Sequence, residues 1–267
     1  MWFGLADAVV AAVGWRKNAL VCIFKRGMLA GKNNVRKMTF RFEKQMLSPA
    51  ETWLEGQGLS VKREFATPWG VCDLVAAALD RVHVEKRLAL GQRRTIGPLS
   101  RVGLLLELPD VESQHAMRRA TLCNMFAGFL SPEEVDRDLA ILEANGFVRR
   151  HGTQSFQKVN GWMPLHSRLV AVELKRQRVE DALSQARKNK ELTWESYVGL
   201  PAALAERLCA TPKRTGFDAD GVGLLSVGSG AAWVLIAPRR CEGRPNPSIE
   251  AHCVERFWSS ELKAVQH

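Results

Sequence analysis

Several signatures that would assign a chemistry at once are missing from this 267-residue chain. The six cysteines, Cys22, Cys72, Cys123, Cys209, Cys241 and Cys253, include no C-x-x-C pair. That argues against a zinc ribbon or a compact disulfide framework, and leaves buried, reduced thiols in a cytoplasmic protein as the expectation. His83, His115, His151, His166, His252 and His267 lack the H-E-x-x-H or H-x-x-E-H spacing of a zinc hydrolase. There is neither a G-x-S-x-G nucleophile turn nor a G-x-x-x-x-G-K phosphate cradle. No run approaches the roughly 18 consecutive apolar residues of a spanning helix, so no membrane role is expected. The apolar stretch from Trp2 to Phe24 has no basic residue before it, which is poor for a signal peptide.

What the chain does contain is apolar bulk and positive charge. A hydrophobic content of 46% is ample for a packed core and excludes disorder as the whole account. Lys and Arg number 38 against 28 Asp and Glu, a net charge of +10 with a pI near 9.6. Such a balance favours a polyanionic partner, nucleic acid first and a membrane surface second. Residues 1–47 read as a basic leader: Lys25, Arg26, Lys32, Arg36, Lys37, Arg41 and Lys44 stand among few apolar positions. It is either a loosely held segment or an arm touching phosphates. A natural start at Met38 would leave the first part outside the fold.

Two strand patterns organise the rest. Arg168-Leu169-Val170-Ala171-Val172-Glu173-Leu174-Lys175 alternates and then presents Glu173 and Lys175 on one face, since side chains in a strand switch sides at every residue. Upstream, Val71-Cys72-Asp73-Leu74-Val75-Ala76 embeds one acid in an apolar strand, which is costly unless something pairs with it. Asp73, Glu173 and Lys175 are therefore the candidate active site. Before them, Ser48-Pro49-Ala50-Glu51 reads as a helix start with Ser48 as N-cap. Val61 to Phe65 reads as a strand, and Pro68-Trp69-Gly70 as the turn of a hairpin. After Lys175 come a helix over Val179 to Arg187, a strand over Glu195 to Leu200, a helix over Pro201 to Cys209 and a closing hairpin.

An Asp on one strand, Glu-x-Lys on the next and a helix with an internal Gln resemble the PD-(D/E)xK, restriction-endonuclease-like nuclease superfamily. The likeness covers Ser48 to Arg81 and Arg168 to Pro238, with Cys72 standing where the family pattern has Pro. It implies an α/β fold, a mixed sheet flanked by helices, and a metal-dependent DNA endonuclease. By the same resemblance Asp73, Glu173 and the carbonyl of Leu174 would hold Mg2+, with Mn2+ as substitute. Lys175 would orient or deprotonate water, and Gln185 would approach the site. Glu51 matches an acid on the family's first helix that often helps hold the metal, and helix capping explains it equally well.

About a hundred residues separate Asp73 from Glu173, more than neighbouring strands need, so an inserted domain is expected. Leu99 to Leu108, Ser113 to Phe126 and the stretch opened by Ser131-Pro132-Glu133-Glu134 read as three helices, the last stopped by Gly146. Phe147 to Arg150 and Phe156 to Val159 then read as a two-stranded wing. With Leu139-x-x-Leu142-Glu143-x-x-Gly146-Phe147-Val148-x-Arg150, the region resembles a winged helix-turn-helix. Its third helix begins with Glu133, Glu134, Asp136 and Asp138, which would repel phosphate. Arg118, Arg119, Arg149, Arg150 and Lys158 are better placed for DNA, and contact with protein is the alternative use of such a module. The expected organisation is a leader over 1–47, a nuclease-like core over 48–94 and 163–240, an insertion over 95–162, and a loose tail over 241–267. A homodimer fits if both strands are cut. The rival reading is a non-catalytic DNA-binding or regulatory protein on a nuclease-like scaffold.

Overall fold

A computed structural model describes residues 40–159, 165–243 and 245–265; most of the basic leader lies outside them. A 3-10 turn, Glu43–Met46, runs directly into α1 (Leu47–Glu55). Ser48 is thus inside a helix that has already begun, and no side chain caps its first turn. The expected cap at Ser48 fails because the preceding turn supplies the helical geometry that a cap would otherwise initiate. Next come β1 (Ser60–Thr67) and β2 (Gly70–Leu79), the expected hairpin, with Thr67 opposite Gly70 around Pro68 and Trp69. Gly70 sits at φ 142°, a backbone angle that a residue with a Cβ rarely adopts. Then follows α2 (Arg81–Ala89), capped by the Asp80 carboxylate accepting from the amides of Val82 and His83.

The intervening segment contains α3 (Leu99–Glu107), β3 (Met117–Arg118), α4 (Arg119–Phe126), α5 (Pro132–Ala144), β4 (Val148–His151) and β5 (Ser155–Lys158). The sequence-based helix from Ser113 begins only at Arg119, because Met117 and Arg118 pair with Phe156 and Ser155. A tertiary ladder here overrides local propensity. Helix α5 opens with a reciprocal capping box between Ser131 and Glu134. Strands β3, β5 and β4 form a small antiparallel sheet. Val102, Leu105, Leu122, Leu139, Leu142 and Phe147 make the core under it.

The chain then returns through β6 (His166–Leu174), α6 (Val179–Asn189), β7 (Glu195–Pro201), α7 (Ala202–Cys209), α8 (Arg214–Asp220), β8 (Gly223–Val227), β9 (Ala232–Ile236) and α9 (Pro247–Val265). The fold is α/β, with a mixed six-stranded sheet in the order β1-β2-β6-β7-β8-β9 flanked by helices. Strands β6, β7 and β8 run parallel, and the remaining neighbours are antiparallel. Met46, Ala50 and Leu54 cover one face against Leu74, Val170 and Val172. On the other, Cys253, Val254, Phe257 and Trp258 of α9 pack on Val75, Leu169 and Ala171, while Ala182, Leu183 and Ala186 of α6 pack on Val198 and Leu224.

The expected loose tail over 241–267 is thus corrected: Pro247–Val265 is helix. The Pro, Gly and Arg content that suggested one belongs to the connection before α9. Pro247 then stands at the first helical position, where its missing N–H costs nothing, and Asn246 Oδ1 accepts from the amides of Ser248 and Ile249. Ala251 of α9 joins the core of the small module, while Val254 and Phe257 join the large sheet. One helix thus serves both layers.

Candidate active site

Sheet pairing brings the two strand acids together. Strand β2 lies antiparallel to β6 with Leu74 opposite Val172, so Asp73, one step further along, comes beside Glu173. Asp73 Oδ2 accepts from the Leu174 amide at 2.7 Å, and Lys175 Nζ lies 3.8 Å from the same oxygen. Lys175 Nζ also donates to its neighbour's carbonyl, Leu174 O, at 3.3 Å. Just beyond β6 the chain is held by the Lys175 amide donating to Gly199 O on β7. The three residues singled out from the sequence therefore meet where β2 crosses the carboxyl end of β6, inside the sheet.

Glu173 is only 2% exposed. Its Oε1 accepts from Asn189 Nδ2 at 2.6 Å. The same amide nitrogen lies 3.3 Å from Cys72 Sγ, and Asn189 Oδ1 accepts from Trp69 Nε1 at 2.9 Å. An indole N–H can only donate, so Trp69 fixes the Asn189 oxygen toward itself and the amide nitrogen toward Glu173. A turn residue thereby orients a helix residue that orients a strand acid.

Burial sets the electrostatics. Desolvation pushes Glu173 up to about 7; the neighbouring Asp73 adds to this, and the Asn189 and Lys175 contacts oppose it. Asp73 is also raised, chiefly by desolvation, with the Leu174 amide and Lys175 opposing and Glu43 and Glu64 adding negative potential. Burial first, then Glu173, drives the Cys72 thiol well above its ordinary value. Two adjacent carboxylates resisting ionisation form a site that gains from a cation. Asp73 and Glu173 are oxygen donors of the kind a hard divalent cation uses, and each already accepts from a protein N–H. A cage of three or more His, Cys, Asp or Glu side chains does not occur among the described residues.

A stability prediction follows from Glu173. Its folded-state pKa lies above the unfolded value of 4.5, so the folded chain keeps a proton that the unfolded chain has released, and stability falls as pH rises from about 4.5 to about 7. Glu173→Gln removes that dependence while still accepting from Asn189. In EDTA at pH 8 the variant should be more stable than the parent by on the order of 3 kcal/mol. The gain should vanish below about pH 4.5. Urea unfolding at both pH values checks this; a gap independent of pH would contradict it.

The other sequence candidates are dispersed. Gln185 is exposed on α6, and the amide that reaches Glu173 is Asn189, one turn later. Glu51 forms a forked ion pair with Arg63. An acid nearer to Asp73 in electrostatic effect is Glu43, whose Oε1 accepts from the Arg176 amide at 3.1 Å. Glu64 acts on Asp73 as well and takes φ 48°, rare for a residue with a Cβ. In the module, Arg119 pairs with Asp136, Arg150 pairs with Glu143, and Lys158 Nζ donates to Leu106 O. Arg118 and Arg149 are exposed, with no ion pair among the described residues. Asp138 is buried against Arg101, so two of the acids that counted against α5 are already neutralised.

Sequence reading missed Asn189, Trp69, Glu43 and Glu64. Asn189 ends a helix, Trp69 sits in a turn and Glu43 precedes a helix, so each has a local role that hides the tertiary one. The available signal was composition: a Trp in a two-residue hairpin loop exposes a large apolar group unless another element covers it. The chain matches no family model, no curated protein and no solved structure.

Proposed function

We propose that this protein is a metal-dependent DNA endonuclease that hydrolyses phosphodiester bonds, with a core of the PD-(D/E)xK type and a winged-helix module aiding substrate binding. The observation that carries the reading is the meeting of Asp73, Glu173 and Lys175 at the carboxyl end of β6. The element order α1-β1-β2-β6-α6-β7 supports it, as does a module that runs helix, strand, helix, helix and hairpin. Bound at Asp73 and Glu173, Mg2+ or Mn2+ would supply a more acidic water and offset charge on the transferring phosphoryl group. Lys175, 11% exposed and beside Asp73, would orient the attacking water and face the developing negative charge. Arg118 and Arg149 would meet the DNA backbone, and cutting both strands of a duplex would call for two copies of the chain. Among the described residues no helix is long and apolar enough to cross a membrane.

A second reading has one observation in its favour. Asp73 is already held by the Leu174 amide and Lys175, which suits a scaffold that binds DNA without cutting it. The two separate on purified protein incubated with plasmid, linear duplex, single-stranded and branched DNA, in Mg2+, Mn2+ or EDTA. The nuclease reading expects cleavage in metal, none in EDTA, and none by Glu173→Ala. Binding of DNA without cleavage on every substrate would establish the scaffold.

A further inference from the structure

The carboxyl ends of the parallel strands β6 and β7 diverge into the Arg176–Gln177 segment and α7, and a cavity of about 450 Å3 opens between them. Crevices outside the carboxyl ends of strands are the usual ligand positions in open α/β sheets. Its volume lies within the roughly 300–1,000 Å3 of small-ligand sites. Phe40, Pro201 and Leu204 give it apolar walls, and Arg176, Gln177 and Arg207 contribute the polar ones. Neither Arg176 nor Arg207 has an ion-pair partner among the described residues, whereas Arg101, Arg119, Arg137 and Arg150 of the module and Arg187 of α6 do.

Arg176 is held in place by its backbone. Its amide donates to Glu43 Oε1 at 3.1 Å and its Nη1 to Arg41 O at 2.9 Å, which anchors one edge of the guanidinium. It follows Lys175 directly in the chain, so one wall of the cavity begins a single residue from the carboxylate site, although Asp73, Glu173 and Lys175 do not themselves line it. By comparison, the 390 Å3 cleft beside Trp69 has two of its three cations engaged: Arg187 pairs with Asp220, and Lys190 Nζ donates to Gly221 O and Arg239 O.

We propose that this cavity receives one nucleotide of the substrate strand next to the bond that is cut. Its base would lie against Phe40, Pro201 and Leu204, its phosphate between Arg176 and Arg207, and Gln177 would meet the base edge. Paired guanidinium groups suit phosphate, and an aromatic and aliphatic wall suits any base through its π-face. A base inside duplex DNA cannot turn its face to such a wall without leaving its stack. The inference rests on the nuclease reading for its choice of a strand as the ligand's source, and it implies a preference for single-stranded or frayed DNA.

The test uses the full chain in EDTA and calorimetric titration with thymidine 5′-monophosphate, thymidine and inorganic phosphate. The nucleotide should bind at least about tenfold more tightly than either fragment, and Arg207→Ala, an exposed side chain, should weaken it at least about tenfold. A single-stranded oligonucleotide should displace the nucleotide. Affinity no better than that of phosphate alone, or indifference to Arg207→Ala, would overturn the assignment even if the enzyme cuts DNA. Tight nucleotide binding with no displacement by the oligonucleotide would overturn the strand as the source. Binding and displacement in a protein that never cuts DNA would support the pocket while overturning only the nuclease reading.

Discussion

Glu255→Ala is expected to cost about 3–5 kcal/mol of stability, close to what a small domain has in total. Its carboxylate is 3% exposed and takes both terminal nitrogens of the equally buried Arg87, the second at 2.9 Å, while the Ile96 amide donates to it at 2.8 Å. Arg87 also donates to Gln92 O and Arg94 O and lies over the rings of Trp258 and Phe147, 4.3 and 5.0 Å from their centroids. One ion pair thereby ties α2, α9, the entry to the small module and the module's own Phe147. Removing the carboxylate leaves a buried guanidinium with its charge uncompensated, and that penalty dominates the loss. Replacing both partners, Arg87→Met with Glu255→Leu, should recover most of it, since no buried charge is then left unpaired. Urea unfolding measures both. A single-variant loss under about 1 kcal/mol, the range of a solvent-exposed pair, would contradict this account of the clamp.

Lys175→Ala is expected to lower single-turnover DNA cleavage roughly 10²–10⁴-fold, the range for a positioned proton-transfer group, while DNA affinity stays within about twofold. The asymmetry is the informative part. On the nuclease reading, the ammonium beside Asp73 and the Leu174 carbonyl would act on water and on charge that develops during reaction, whereas ground-state DNA would be held by phosphate contacts elsewhere. If affinity fell as far as rate, Lys175 would be a DNA-binding residue. An unchanged rate would remove it from the chemistry.

The core strands were legible because their signals are local. The alternation from Arg168 to Lys175, the lone Asp73 in an apolar run and the turn at Pro68 all survive folding as strand, strand and hairpin. Pairing across the long insertion placed Asp73 beside Glu173 as the pattern required. What escaped depends on contacts far apart in sequence. Gln185 fits the expectation of a helix amide near the site, yet α6 turns it to solvent and turns Asn189 inward. Glu51 has the right place on the first helix, but Arg63, across on β1, takes it. The tail was misread because a Pro- and Gly-rich connector and an amphipathic helix were averaged together, and neither Ala251 nor Phe257 shows from sequence alone that it has a core to enter. Acids on α5 looked hostile to DNA until Arg101 and Arg119 were found to neutralise Asp138 and Asp136.

The most direct test is conversion of supercoiled plasmid by the purified chain in Mg2+, in EDTA, and by Asp73→Ala in Mg2+. The account predicts nicked or linear product in the first case and intact plasmid in the other two. Equal cutting with and without metal, or undiminished cutting by Asp73→Ala, would contradict a metal-dependent active site between β2 and β6.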